Sequence, residues 1–214
     1  MLDNNWDLIN GPAAHQIEQL NGANVINLIE AIVVWSMAHQ LANQLPPMPN
    51  ALALSELHRT GTLFLLATPG KYRQSEVNVQ NILTGQVVHQ PPIWQEVNQH
   101  MTEFFQELDT IWKTGDALDA ASFSLWRINW IHPFKNGNGR TARAFCYACL
   151  CARLKAILPG APTVIDQIMM TRPEYESALR VGDVAAKQDK AARDLSAMRT
   201  YLDDLLQKQM ATVT

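Results

Sequence analysis

The run Ile131-His132-Pro133-Phe134-Lys135-Asn136-Gly137-Asn138-Gly139-Arg140-Thr141-Ala142-Arg143 sets an imidazole, a glycine-rich loop and two guanidiniums side by side. Histidine titrates near neutrality, so His132 can take a proton from a hydroxyl as that hydroxyl attacks an electrophile. Gly137 and Gly139 allow left-handed backbone and close approach, which lets successive N–H groups converge on phosphate oxygens. The apolar stretch from Thr141 to Leu158 reads as a helix, and its N-terminus adds free amides and partial positive charge at the loop. Arg140 and Arg143, three apart, share a face of the first turn and can each grip an anion in a bidentate fork. This is equipment for transferring a phosphate-bearing group.

These residues carry a resemblance. The segment is similar to the signature of the Fic family, His-Pro-Phe-x-(Asp/Glu)-Gly-Asn-Gly-Arg-x-x-Arg, and weaker similarity extends from about Leu57 to Leu202, through "GKYR" before the signature and "DLSAMRTYL" after it. The resemblance implies an all-α, Fic-like helical domain with a small β-hairpin flap. It also implies a protein adenylyltransferase that moves AMP from ATP to a Ser, Thr or Tyr hydroxyl of a target protein, self-modification included, with Mg²⁺ as cofactor. On that pattern His132 is the general base. Phe134, Gly137, Asn138, Gly139, Arg140 and Arg143 bind nucleotide and phosphate, and Gly70, Lys71, Tyr72 and Arg73 form the entrance of a flap that meets the target backbone.

Asn136 departs from the family pattern, since it stands where a carboxylate helps hold Mg²⁺. An amide oxygen can still coordinate but brings no charge, so weaker metal affinity is expected. Transfer of another phosphate-containing group, or a nucleotide-binding module with little turnover, are therefore alternative readings. Many family members are restrained by a glutamate on a helix that pairs with the second signature arginine. Glu30, with Ile26, Val33 and Val34 one helical turn away, is the residue expected in that inhibitory place.

Two other phosphate-binding loops can be weighed, of which the first fits formally and the second fails. Gly137-x-Gly139-x-x-Ala142 matches a dinucleotide loop, which would need a strand directly before it, and a phosphate loop of Walker type would need Lys where Arg140 stands. Seventeen basic and twenty acidic residues give a net charge of −3 without a basic block, which argues against nucleic acid as partner. The apolar stretch 23–42 is interrupted by polar residues and is expected to be a buried helix rather than a membrane span. No signal peptide is evident, so a cytoplasmic protein, or one delivered as an effector, is expected. Cys146, Cys149 and Cys151 fall inside the helix after the motif and read as buried reduced thiols rather than a zinc site.

The elements that must hold this site are almost all helical. Helices are predicted over about 23–44, ending before Pro46-Pro47, then 51–67, 93–113, 117–131, 141–158 and 190–210, with shorter ones after the Pro159-Gly160-Ala161-Pro162 break. In the third, Trp94, Phe104, Phe105 and Trp112 are expected in the core. Val77-Asn78-Val79 and Val87-Val88 flank a glycine turn at Gly85 and predict one hairpin. Residues 1–50 are expected to form an N-terminal, inhibitory helical segment and 51–214 the catalytic domain, its long helices packed as a bundle.

Overall fold

A computed structural model describes residues 6–80, 84–188 and 194–213. Eight helices run in the order α1 (Gly11–Ala38), α2 (Ala51–Thr62), α3 (Val97–Thr114), α4 (Ala117–Ile131), α5 (Asn138–Leu154), α6 (Val164–Met170), α7 (Arg172–Gln188) and α8 (Ser196–Met210) among the described residues. Strands β1 (Val79–Gln80) and β2 (Val87–His89) lie between α2 and α3.

The centre is α5. Ala142, Ala144, Phe145, Cys146, Ala148, Cys149, Leu150 and Ala152 are all buried, as expected of a helix apolar on every side. Against it α4 runs antiparallel, with Ser124 near Cys149 and Asn129 near Gly139. A capping box fixes the start of α4: Asp116 accepts from the Asp119 amide and Asp119 from the Asp116 amide, both at 3.0 Å. On α3, Val97, Met101, Phe104, Leu108 and Trp112 form the buried stripe, and Phe104 stacks on Phe123 at 5.6 Å. Burying each such side chain stabilises by about 1.5–3 kcal/mol. Trp94, expected in the core, instead sits in a 3-10 turn and is 37% exposed, because the stripe begins only at Val97.

Helix α1 begins twelve residues before the predicted Ala23 and stops at Ala38 rather than running on to the prolines. Pro12 suits a first helical turn, where its missing N–H costs nothing. At the other end Ser36 donates to the Pro47 carbonyl at 2.5 Å, and Trp112 Nε1 donates to that of Pro46 at 2.9 Å, so the proline segment folds back as a strap. Val25, Ile29 and Val33 enter the same core as α5, while Leu20, Val34 and Trp35 face outward. By length and composition α1 could also cross a bilayer. The expected buried helix is thus buried on one face.

The hairpin pairs Val79 with His89 and Gln80 with Val87 across an irregularity in register. Part of its expected turn, 81–83, lies outside the described residues, as do 189–193 at the expected start of the last helix. A lone two-stranded sheet is marginal in water. Here it leans on α4, since His89 Nε2 donates to the Trp130 carbonyl at 2.8 Å.

Candidate active site

The polypeptide leaves α4 through His132, a left-handed residue (φ 53°) whose amide still bonds to Ile128, and Pro133 prevents the helix from continuing. His132 Nδ1 lies 3.2 Å from the Asn129 carbonyl. A carbonyl can only accept, so Nδ1 carries the proton and Nε2 keeps its lone pair. Burial, the largest cause, pulls the ring down to about 4, with the charges of His89 and Arg73 adding to it and the Asn129 bond opposing. At neutral pH His132 is an uncharged base.

The loop that follows is braced from inside. Asn138 is buried, and its amide grips both main-chain groups of Phe134, accepting from N–H and donating to C=O at 2.8 Å each. Its side chain therefore closes the loop, and only its main chain is free to serve a phosphate. Phe134 is fully buried and stacks on His58 at 3.7 Å. Expected at the nucleotide, it is instead the loop's apolar anchor, because an aromatic with no exposed surface has none to offer a ligand. Gly137 (φ 76°) caps α5, and a Cβ there would lie 2.8 Å from Thr62 Cγ2, so only glycine fits. At Gly139 a Cβ would stand 3.4 Å from Arg143 Nη1, about ordinary contact, so the guanidinium lies close beside this backbone. The first-turn amides of α5 have no intrahelical acceptors and point to the loop.

Asn136 Oδ1 accepts from the Gly137 amide at 2.7 Å. Its one good ligand atom is thus turned into the loop, and among the described residues no group of three His, Cys, Asp or Glu could hold a metal. Asn136 can thus offer a metal one neutral oxygen and no charge, so a Mg²⁺ here would be held chiefly by the phosphates of a bound nucleotide.

Arg143 is desolvated at the start of α5. Its Nε is buried without a hydrogen-bond partner among the described residues, and burial, with the positive charge of Arg140 adding to it, pulls its pKa down. Arginine does not give up its proton, so this charge is poised for an incoming anion. Arg140 is already engaged: Glu18 lies 3.5 Å from Nη2, and the Trp6 ring faces its guanidinium at 5.4 Å. Trp6 Nε1 donates to Glu18 in turn, and Asp7 accepts from Lys135. The segment 6–18 therefore lies across the signature loop.

Glu30 does not reach Arg143. Its carboxylate is exposed, in a groove with Tyr147 and Cys151 toward the far end of α5. Of the apolar neighbours that suggested a buried face, Val33 is buried but Ile26 and Val34 are exposed. Because α1 and α5 run parallel, with Glu18 opposite Arg140 and Glu30 near Cys151, the acid facing the signature lies three turns before Glu30.

Of the flap entrance, Lys71 is exposed and Tyr72 half-buried against Phe134 at 5.5 Å. Gly70 (φ 80°) is fixed between Ser55 and His58. Arg73, expected to meet a target, is buried: Nε donates to the His132 carbonyl (2.8 Å), Nη1 to Ser75 (3.1 Å) and Nη2 to Pro92 (2.6 Å). It caps α4 and ties both ends of the flap to it. The strand required by a dinucleotide loop is replaced by α4, which rules that reading out. The cysteines are buried and unpaired, and burial pushes Cys149 up to about 12 and Cys151 up to about 11, which makes them inert. Sequence reasoning missed Glu18, Trp6, His58 and Asn129. An acid one residue after Ile17, or a histidine in mid-helix, has no local signal.

Residues 50–150 match the sequence model of the Fic/DOC family. The chain is 33% identical over 104 residues to protein adenylyltransferase fic-1 of Caenorhabditis elegans, a match covering 44% of this chain and 19% of that protein, so it spans about a fifth of that relative's length. Among solved structures it resembles a Fic domain containing signaling protein of Bacteroides thetaiotaomicron (TM-score 0.70, 20% identity, 91% of this chain and 69% of that one). It also resembles fic-1 residues 134–508 (TM-score 0.63, 19% identity, 89% and 48%). A third is the BepC protein of Bartonella tribocorum with bound AMPPNP (TM-score 0.54, 15% identity, 89% and 86%). These structural likenesses carry the fold.

Proposed function

We propose that this chain, whose residues 50–150 form a Fic/DOC-family domain, is a Fic-type transferase that moves AMP from ATP to a hydroxyl of a target protein or of itself. The observation that carries the reading is a neutral His132 with Nε2 free, at the loop that opens α5, where Arg143 Nε is buried without a hydrogen-bond partner among the described residues. The acceptor oxygen attacks the α-phosphorus as its proton passes to His132 Nε2. The bond between the α-phosphorus and the bridging oxygen breaks, and pyrophosphate leaves against Arg143 and the first-turn amides of α5. Positioning and charge stabilisation supply most of the acceleration in such transfers. No step is assigned to Mg²⁺, because Asn136 offers it no anionic oxygen. The likeness to a protein named an adenylyltransferase supports AMP as the transferred group.

Incubation with ATP labelled at the α- or γ-phosphate tests this. Label from the α-position should enter protein, and His132→Ala should lower that rate by roughly 10²–10⁴ while ATP affinity holds. Incorporation from the γ-position would mean phosphate transfer instead. Asn136 favours a second reading, a nucleotide-binding module with little turnover, whose sign would be ATP binding by calorimetry without label transfer.

A further inference from the structure

One buried imidazole joins the two loops that frame the site. His58 sits on α2 with no exposed surface. Its Nδ1 accepts from the Gly70 amide at 2.8 Å, and its Nε2 donates to the Asn136 carbonyl at 3.0 Å. An amide can only donate and a carbonyl can only accept, so these partners select a single neutral tautomer. The ring lies nearly parallel to Phe134, 8° between planes, which fixes its tilt. The main chain on either side is pressed onto the same helix. A Cβ at Gly70 would stand 3.1 Å from the Ser55 carbonyl, and one at Gly137 would stand 3.6 Å from His58 Nε2. Helix α2 is thus the template for both the flap root and the anion loop.

We propose that His58 is a positioning residue that holds the anion loop in register with the flap root, so that nucleotide phosphates and acceptor hydroxyl meet at His132. The inference rests on the transferase reading above and names what aligns that site. The lever is the peptide between Asn136 and Gly137. Its C=O and N–H are locked in one plane and point in opposite directions, so holding the carbonyl on α2 turns the Gly137 amide toward the loop interior. His58 touches no reacting atom.

Two near-isosteric variants separate its arms. In H58N the side-chain oxygen can still accept from Gly70, but the donor to Asn136 is lost. In H58Q the terminal amide can still donate to Asn136, but the acceptor for Gly70 is lost. Amide hydrogen exchange and ATP calorimetry on the folded variants read the result. H58N should speed exchange over 136–139 and weaken ATP binding about fivefold to tenfold, the value of one hydrogen bond, with Gly70–Arg73 unchanged. H58Q should speed exchange over Gly70–Arg73, keep ATP affinity, and lower the transfer rate at saturating ATP. Equal effects of both variants on both loops, as from general loosening, would overturn the proposal, as would no effect. Should H58N not fold, ring-nitrogen NMR of the unaltered protein decides. A proton on Nε2 whose signal shifts when ATP is added is expected, and a proton on Nδ1 would refute the tie. Failure of the unaltered chain to bind ATP would end the transferase reading, while the exchange pattern would still judge His58.

Discussion

Arg140 is held from two sides, by the Glu18 carboxylate at 3.5 Å and by the face of Trp6. A partly exposed ion pair contributes about 0.2–1 kcal/mol and a cation–π contact a similar amount, so together they restrain the guanidinium without locking it. On the proposed function, a phosphate reaching Arg140 would compete with Glu18. Glu18→Gln is therefore expected to tighten ATP binding about threefold to tenfold by calorimetry, and Glu30→Gln to leave it unchanged. The reverse pattern would remove Glu18 from the restraint. That His132, Gly137, Gly139 and Arg143 lie together was legible in the sequence because their placement is set within one loop and one helical turn. Glu18 was not, because periodicity gives the face of a helix but neither its partner nor, where polar residues dominate the first turns, its start. Phe134 and Asn138 were assigned to the ligand because sequence distinguishes a loop's lining from its bracing only through burial.

At the scale of elements, the flap and the end of α4 share one fastener. Arg73 donates to carbonyls at His132, Ser75 and Pro92, so one planar cation closes the base of the flap and caps the helix that ends at His132. Lysine offers the charge but not the fork. Arg73→Lys should lower stability by about 2 kcal/mol in urea unfolding, since carbonyls buried beside the flap lose donors, and should reduce label transfer more than ATP binding. A variant as stable as the parent would mean that solvent replaces those bonds. The hairpin itself was readable from its alternating valines and Gly85. Arg73 was read as a target contact because fully buried arginines are rare, and nothing in "GKYR" reveals that three carbonyls converge there.

Across the whole molecule, α2, the flap root and the signature loop meet on a histidine that must stay neutral. Burial pulls His58 down to about 4, against about 6.5 in an unfolded chain, despite the opposing bond to Asn136. Between those values the unfolded chain takes up a proton that the native ring refuses. Stability is therefore full above pH ~6.5 and falls as the pH drops from 6.5 toward 4, by on the order of 3 kcal/mol from this ring alone. The Arg199 partner of Asp116 lowers that carboxyl below its ordinary 3.8, so its contribution is lost only at more acidic pH and does not blur the window. Urea midpoints measured from pH 7.5 to 4.5 should decline in the unaltered protein and decline less steeply in H58Q, which has nothing to protonate at that position. His132, pulled down to about 4 in the same way, leaves a residual slope in H58Q that H58Q combined with His132→Ala should remove. Identical slopes in the parent and H58Q would mean that the ring is hydrated and titrates normally, and the link between the acid limb of stability and the joint beneath the anion loop would be lost.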